Sequence, residues 1–535
     1  MACKRGPLAN PNSPNAVNSP ERKVIMFDSK LARIPLLAGL LALSLITSAQ
    51  SKTPGCIGPS GNRFNLEPRA NAVVQTAQSV AFLPGAGENG ADLVVGTGND
   101  ARGISTNPNA TIIAEDAFYV QRSDANCAAD FEGGLPTISN ATDQFSPFGS
   151  PVVVADAARK QFFIVDARFG DFTDDNGVGI VRSDAKTLLN ATDCPSGTEV
   201  GTANCWPLGA VTNITTLNAF LSNPHIAVDE RTSGKGAGDV YTVVTQADPN
   251  NTLHTQVSLT ACTNGLNCGN SISISGSDLE GDFAWVQVRP DGSITISYRN
   301  TSFPGINPEE IKFVNCTPNG APNPPTCSAP VTITTEHTPA FASFIGNQGL
   351  TDLLYPKHVH RLEADGHTVT TFLVYDRCSV PVLPGNTSTC PKTSVALTSS
   401  SDGGASWAPV RMVTCSPGHQ FFGSLAADTS TGTVNIAYYS TEKDPFHLLT
   451  QVFVAQVPPG MTTVGGVHQV TTDFADPAAT SPAAFLLQPS GFGNTIGIAA
   501  ARNRAYVSFT YNTVNGTYNG VSAADVNNHL ASFYY

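Results

Sequence analysis

The chain has 535 residues, of which 41% are hydrophobic and only 13% charged, against roughly 25% charged in a typical globular protein. Its formal net charge of −13 argues against nucleic acid and against an anionic membrane surface as partners, while leaving room for an anionic small ligand held by a few local arginines. With 47 glycines and 38 prolines, the composition suits a fold of many short strands and turns around a sizeable core.

The N-terminus reads as a secretory signal. Arg22, Lys23, Lys30 and Arg33 supply positive charge ahead of Ile34–Ile46, a mostly apolar run too short to span a bilayer comfortably. Thr47-Ser48-Ala49 then offers a small-x-small cleavage site. Residues 1–49 are expected to be removed, with Met26 a plausible true initiator. A linker is expected over 50–70 and a single all-β domain over 71–535, without a membrane span in the mature chain. Cysteine usage agrees with export. Cys194/Cys205, Cys262/Cys268, Cys316/Cys327 and Cys378/Cys390 are close pairs in loop-like sequence, each suited to a local staple in an oxidising compartment. Pairing Cys56 with Cys127 would leave Cys415 odd. Sequons at Asn140, Asn213, Asn300 and Asn386 matter only where the host glycosylates.

From residue 79 onward the chain repeats a unit: an apolar strand, a polar turn, and a second strand rich in β-branched and aromatic residues. The pairs are Ser79–Phe82 with Asp92–Gly96, Pro151–Ala155 with Gln161–Val165, and His225–Val228 with Asp239–Thr245. They continue at Trp285–Val288 with Ser293–Tyr298, His358–Leu362 with Val369–Tyr375, Gly423–Ala426 with Val434–Tyr439, and Thr495–Ala499 with Ala505–Tyr511. The period is roughly 69 residues, long for a four-stranded blade and consistent with loop insertions. The seventh unit lacks a fourth strand, because its third, His529–Tyr535, ends the sequence. Ala72–Thr76 is expected to supply that strand and close the ring, which removes exposed sheet edges.

In the fifth unit, Ser400-Ser401-Asp402-Gly403-Gly404-Ala405-Ser406-Trp407 matches S-x-D-x-G-x-[S/T]-W. The glycines permit a tight turn, Asp402 and the serine hydroxyls satisfy its backbone amides, and Trp407 pins it by burial. This stretch resembles the Asp-box (BNR) hairpin of the sialidase-like β-propeller superfamily, with Ser400, Asp402, Gly404 and Trp407 as its structural residues. Arg122–Ala125 and Arg182–Ala185 look like decayed copies. The resemblance implies an all-β propeller of four-stranded blades. The repeat gives seven, with six, the sialidase number, or a pair of β-sandwich domains as alternatives.

In such a propeller the loops after second strands surround one mouth of the channel. Arg102, Arg168, Arg299 and Arg377 all follow second strands, and Asp100, Asp166 and Asp376 accompany three of them. A ring of arginines offers bidentate recognition of a carboxylate. Equally, each Asp/Arg pair is an ion pair that stabilises its own loop. Sialidases use three arginines, a Tyr/Glu nucleophilic pair and an Asp acid. Here the Arg-Ile-Pro motif of that family occurs only as Arg33-Ile34-Pro35, inside the signal segment. Tyr298, Tyr375, Asp100, Asp166 and Glu309 are candidate parts of a hydrolytic site that nothing singles out. His358 and His360 lack an evident third ligand, so no metal is expected. No cofactor is expected either, with Ca²⁺ at the acidic Asp171–Gly177 loop the one alternative. The expectation is an exported, monomeric propeller that binds a glycan or an extracellular protein at its channel mouth without hydrolase activity. The rivals are an exo-acting sialidase-like glycosidase and a cell-surface interaction scaffold.

Overall fold

A computed structural model of the chain describes residues 56–59, 75–100, 115–123, 129–171, 175–191, 199–200, 205–216, 219–276, 278, 280–301, 309–336, 344–345, 348–349, 355–378, 390, 392–477, 495–518 and 521–535. Among the described residues, alternating apolar and β-branched residues form seven antiparallel sheets of four or five strands in chain order, each a blade of a propeller, besides a two-stranded ribbon of Phe344–Ile345 with Gln348–Gly349. The inner strands are Gln75–Leu83, Gln144–Asp156, Leu221–Val228, Gly281–Val288, Lys357–Leu362, Gln420–Asp428 and Gly497–Ala501. Each packs against its neighbours round the ring, and the last packs against the first. The seven units of the sequence repeat are therefore the seven blades.

Second and third strands read as continuous apolar runs because adjacent blades cover both their faces. Thr433–Ser440 of blade 6 and Thr393–Ser400 of blade 5 are buried along their whole length. The core is a set of interblade layers, such as the cluster of Phe118, Val120, Phe162, Ile164 and Trp206 between blades 1 and 2. There Trp206 meets Phe118 edge-on with ring centroids 5.2 Å apart.

The ring closes as expected in kind but through a different segment. Cys56–Pro59 pairs antiparallel with the blade 7 strand Val521–Tyr534, from Cys56 opposite Ser532 to Pro59 opposite His529. Gln75 and Thr76, part of the segment expected to close the ring, extend blade 1's inner strand opposite Asp100 and Asn99. They cannot also complete blade 7. The expected 50–70 linker thus contributes a strand to the propeller, while the signal segment 1–49 lies outside the described residues.

The inner strands share a device the repeat did not reveal. In blades 1, 2, 3, 4 and 6 their pairing register shifts near the upper end, where the strand begins. Ser150, Asn223, Phe283 and Phe422 take positive φ at these bulges. At the lower end, where each inner strand turns into the second, polar latches tie blade to blade. Arg159 donates to Asp229 O and Arg231 O, and Arg231 to Asp291 O. Arg361 reaches Gly432 O, Pro458 O and Met461 O, while Asp428 accepts from Arg502 N, Asn503 N and Tyr535 Oη. Arg504 and Tyr506 reach back to Asp92 in blade 1.

The Asp-box lies on this lower face, between blade 5's third strand and its short outer strand, Arg411–Met412. Asp402 accepts from Ser400 Oγ at 2.7 Å and Ser406 N at 3.0 Å. Gly404 N donates to Ser400 Oγ at 2.9 Å, and Trp407 Nε1 to Gly404 O at 3.1 Å. Gly403 and Gly404 have φ of 77° and 91°, which is why the turn needs glycine. Trp407 packs edge-on to Phe313 of blade 4, 5.1 Å between centroids. At Arg182–Ala185, Asp184 instead caps a short helix, Ala185–Asn190, by accepting from Thr187 N. In Arg122–Ala125, Asp124 and Ala125 lie outside the described residues.

Disulfides join Cys262 to Cys268, Cys316 to Cys327 and Cys378 to Cys390. Cys205 is disulfide-bonded too, and so is Cys415, which corrects its expected odd status. Spacing reveals only close pairs, so a bridge distant in sequence leaves no mark in it. Cys127 and Cys194 lie outside the described residues.

Candidate functional site

All seven inner strands line a central channel of about 790 Å³, within the range of small-molecule sites. Much of its wall is small or aliphatic. Polar groups collect at both ends: Glu230, Arg231, Arg289 and Arg502 at the lower mouth, and in the upper part of blades 3 to 5 Asn223, His225 and Lys357 beside the rings of Trp285 and Tyr355. The bulge at Phe283 breaks the pleat between Asp282 and Trp285, which resets which face the following side chains take. Trp285, half-buried, bridges the channel wall from blade 3 to blade 5. Its ring lies 3.6 Å from that of His225, and its Nε1 donates to His358 O at 3.0 Å.

Lys357 is buried with its ammonium 5.6 Å from the Trp285 ring centroid and 5.1 Å from that of Tyr355, close enough for cation–π attraction. Phe283 packs 5.0 Å from Tyr355 and carries the Arg299 guanidinium at 4.4 Å. Arg299 pairs with Asp282 at 3.3 Å. Asp282 also accepts from Thr245 Oγ1, its own neighbour Phe283 N, and Asn223 Nδ2. The mouth therefore combines aromatic faces with fixed cations, a carboxylate and an amide.

The histidines beside this mouth stay neutral. Burial first, and then the proximity of His358 and Lys357, push His225 well below its ordinary value. Its Nδ1 accepts from Val286 N, which places the ring proton on Nε2. Burial holds His358 well below the usual range and His360 down to about 3. Hydroxyls of Ser297, Thr295 and Thr371 engage the nitrogens of both rings at 2.7–3.0 Å. They form a buried polar clasp between blades 4 and 5. At the lower mouth, burial pushes Glu230 up to about 7, helped by Asp156.

The Arg and Asp residues singled out by sequence are dispersed by strand register. Arg168 and Asp166 form a fully buried ion pair at 2.9 Å. Arg168 Nη1 also donates to Pro136 O at 2.7 Å and Phe145 O at 3.2 Å. A Cβ at Gly179 would sit 1.8 Å from Arg168 Nε, so the pair has shaped its own neighbourhood. Burial raises Asp166 to about 6 against the pull of Arg168. Burial and Asp166 raise nearby Asp116 well above the carboxylate range. Asp376 spans to the next blade and accepts from Phe422 N and Gly423 N, fastening its bulge.

Arg377 pairs with Glu336 at 2.9 Å, and the other Glu336 oxygen accepts from Tyr375 Oη at 2.6 Å. Tyr298 makes a parallel bond to Asp278 at 2.6 Å. Burial, then the partner carboxylate, raises both phenols far above the ordinary value, the reverse of what an activated nucleophile needs. Asp100 ends blade 1's second strand opposite Gln75 and Glu115, and Arg102 lies outside the described residues. Among the described candidates, Arg299 is the one that joins the aromatic mouth, through Phe283 and Asp282. In the Asp171–Gly177 loop, Asp171 accepts from Ser146 Oγ and Asn176 donates to Thr216 O, with 172–174 outside the described residues.

Sequence reasoning did not single out Trp285, Phe283, Tyr355, Lys357 or Asn223 as site residues. A signal was present: a Trp begins the fourth inner-strand repeat, where the others carry Ser, Pro, His, Gly or Thr.

No protein-family model and no curated protein matches the chain. Among solved structures, the Hadza microbial sialidase Hz136 aligns at 10% identity over 80% of this chain and 75% of its own, with a TM-score of 0.40. Polysaccharide lyase Uly1 aligns at 11% identity over 86% and 98%, with a TM-score of 0.41. AofleA from Arthrobotrys oligospora gives 7% identity, coverage of 71% and 88%, and a TM-score of 0.36. Likenesses this distant carry no argument about activity.

Proposed function

We propose that this protein is an exported glycan-binding propeller whose site is the upper mouth of the channel at blades 3 to 5, and that it binds without hydrolysing. The observation that carries the reading is Trp285, a half-buried aromatic face on the channel wall, flanked by Tyr355, Lys357 and Asn223. A sugar presents an apolar C–H face to an aromatic ring and hydroxyls to charged and amide groups, and this mouth offers both kinds of partner in fixed positions. The disulfides fit an oxidising, extracytoplasmic setting.

The rival reading, an exo-acting glycosidase, draws on the Tyr375–Glu336–Arg377 arrangement. Against it stands the burial of that tyrosine and the raising of its phenol. The test is binding of residues 50–535 to an immobilised glycan array, run beside release of fluorophore from a panel of fluorogenic glycosides that includes sialosides. The expected result is retention on the array, lost in Trp285→Ala and restored in Trp285→Phe, without fluorophore release. Release that disappears in Arg377→Ala would establish the glycosidase instead.

A further inference from the structure

Next to this mouth, over blades 2 and 3, three phenylalanines from separate segments converge at the same end of the propeller. Phe148 lies in blade 2's inner strand, Phe169 near the end of its second strand, and Phe220 just before blade 3's inner strand. The Phe148 and Phe169 centroids are 4.0 Å apart, and Phe220 lies 6.4 Å and 6.1 Å from them. Phe148 and Phe169 are only half-buried, and Phe220 is 41% exposed. An interior layer would have buried these rings, as the Phe118–Trp206 layer does one junction away.

The cluster continues into the mouth. Asn223 follows Phe220 by three residues, on the inner strand that Phe220 precedes, and donates to Asp282, the carboxylate that holds Arg299. The upper rim thus presents an aromatic platform, then an amide and a carboxylate, then the half-buried face of Trp285, backed by the buried rings of Phe283 and Tyr355. Stacking faces alternating with hydrogen-bonding groups suit successive units of one glycan chain. A single terminal sugar would fill only one platform.

We infer that the Phe148/Phe169/Phe220 cluster is an outer subsite, so that the ligand is an oligo- or polysaccharide chain lying along the rim of blades 2 to 5. This rests on the reading of the mouth as a glycan site. The test uses an array of mono- through hexasaccharides of mannose, xylose, N-acetylglucosamine and galacturonate, probed with the wild type, Phe220→Ala and Phe220→Trp. Longer members of a bound series are expected to bind about ten-fold more tightly than the monosaccharide, the scale of one well-stacked ring. That ratio should fall towards unity in Phe220→Ala and return in Phe220→Trp. Thermal melts of the two variants would show that both remain folded. Equal binding of all lengths, lost together in Trp285→Ala, would overturn the outer subsite and leave the mouth reading intact. Retention of no member would overturn both. A change of sedimentation in Phe220→Ala with an unaltered length ratio would assign the cluster to contact with another protein chain and overturn the subsite.

Discussion

Arg168 sits where an arginine ring would place a ligand-binding group, yet it is sealed between blades 1 and 2, and two substitutions there are expected to act in opposite directions. Arg168→Ala leaves Asp166 buried without its cation, beside Asp116, and strands the carbonyls of Pro136 and Phe145. Breaking a buried pair from one side costs about 3–5 kcal/mol. Asp116→Asn keeps the shape of the side chain but removes the second carboxylate. Burial, and then the charge of Asp166, hold Asp116 well above the carboxylate range, so its charged form is disfavoured at neutral pH. Asp116→Asn should therefore stabilise the fold at pH 7, by about 1–3 kcal/mol, the desolvation cost of one buried polar group.

The sign with pH follows from raised carboxylates. The folded state holds protons that the unfolded chain releases, so their contribution is most favourable in acid and fades as pH rises from the carboxylate range through about 6. Urea unfolding, followed by tryptophan fluorescence from pH 5 to pH 8, would measure this. The difference between Asp116→Asn and wild type should grow with pH, and the histidine contributions cancel in that difference. A destabilised Asp116→Asn at neutral pH would refute the reasoning. So would an Arg168→Ala protein of unchanged stability that had lost glycan binding, which would make Arg168 a ligand residue.

Further outcomes are expected elsewhere. Arg361→Ala removes the latch from blade 5 to three carbonyls of blade 6 and leaves Glu363 without its partner. It should cost about 3 kcal/mol by chemical denaturation. His360 is held at about 3 by burial, so the folded state resists its protonation. Its contribution is complete above the unfolded value near 6.5 and is lost as pH falls, about 2 kcal/mol by pH 5. Melting curves of His360→Gln should show a weaker loss of stability between pH 7 and pH 5 than wild type. Opening the Cys316–Cys327 bridge by a double Cys→Ser change should cost on the order of 3 kcal/mol, read by the same denaturation.

What was legible in the sequence by itself is local. An inner strand and the second strand that follows are joined by a short turn, so their apolar pattern marks each blade and its seven-fold count. The Asp-box turn is likewise set by residues within eight positions of one another, and the close cysteine pairs by theirs. Tertiary structure decided whatever joins distant segments. Cys56–Pro59 completes blade 7 opposite residues near the far end of the chain, and a four-residue strand has too little pattern to announce its partner. The Asp-x-Arg echoes look alike in sequence, but register sends Asp166 and Arg168 into a buried layer, Asp376 to the bulge of the next blade and Arg377 to Glu336. Side chains on a strand alternate faces, so a shift of one residue changes which surroundings a group meets. The bulge at Phe283 resets that alternation just before Trp285, and the aromatic mouth exists only where blades 3, 4 and 5 converge.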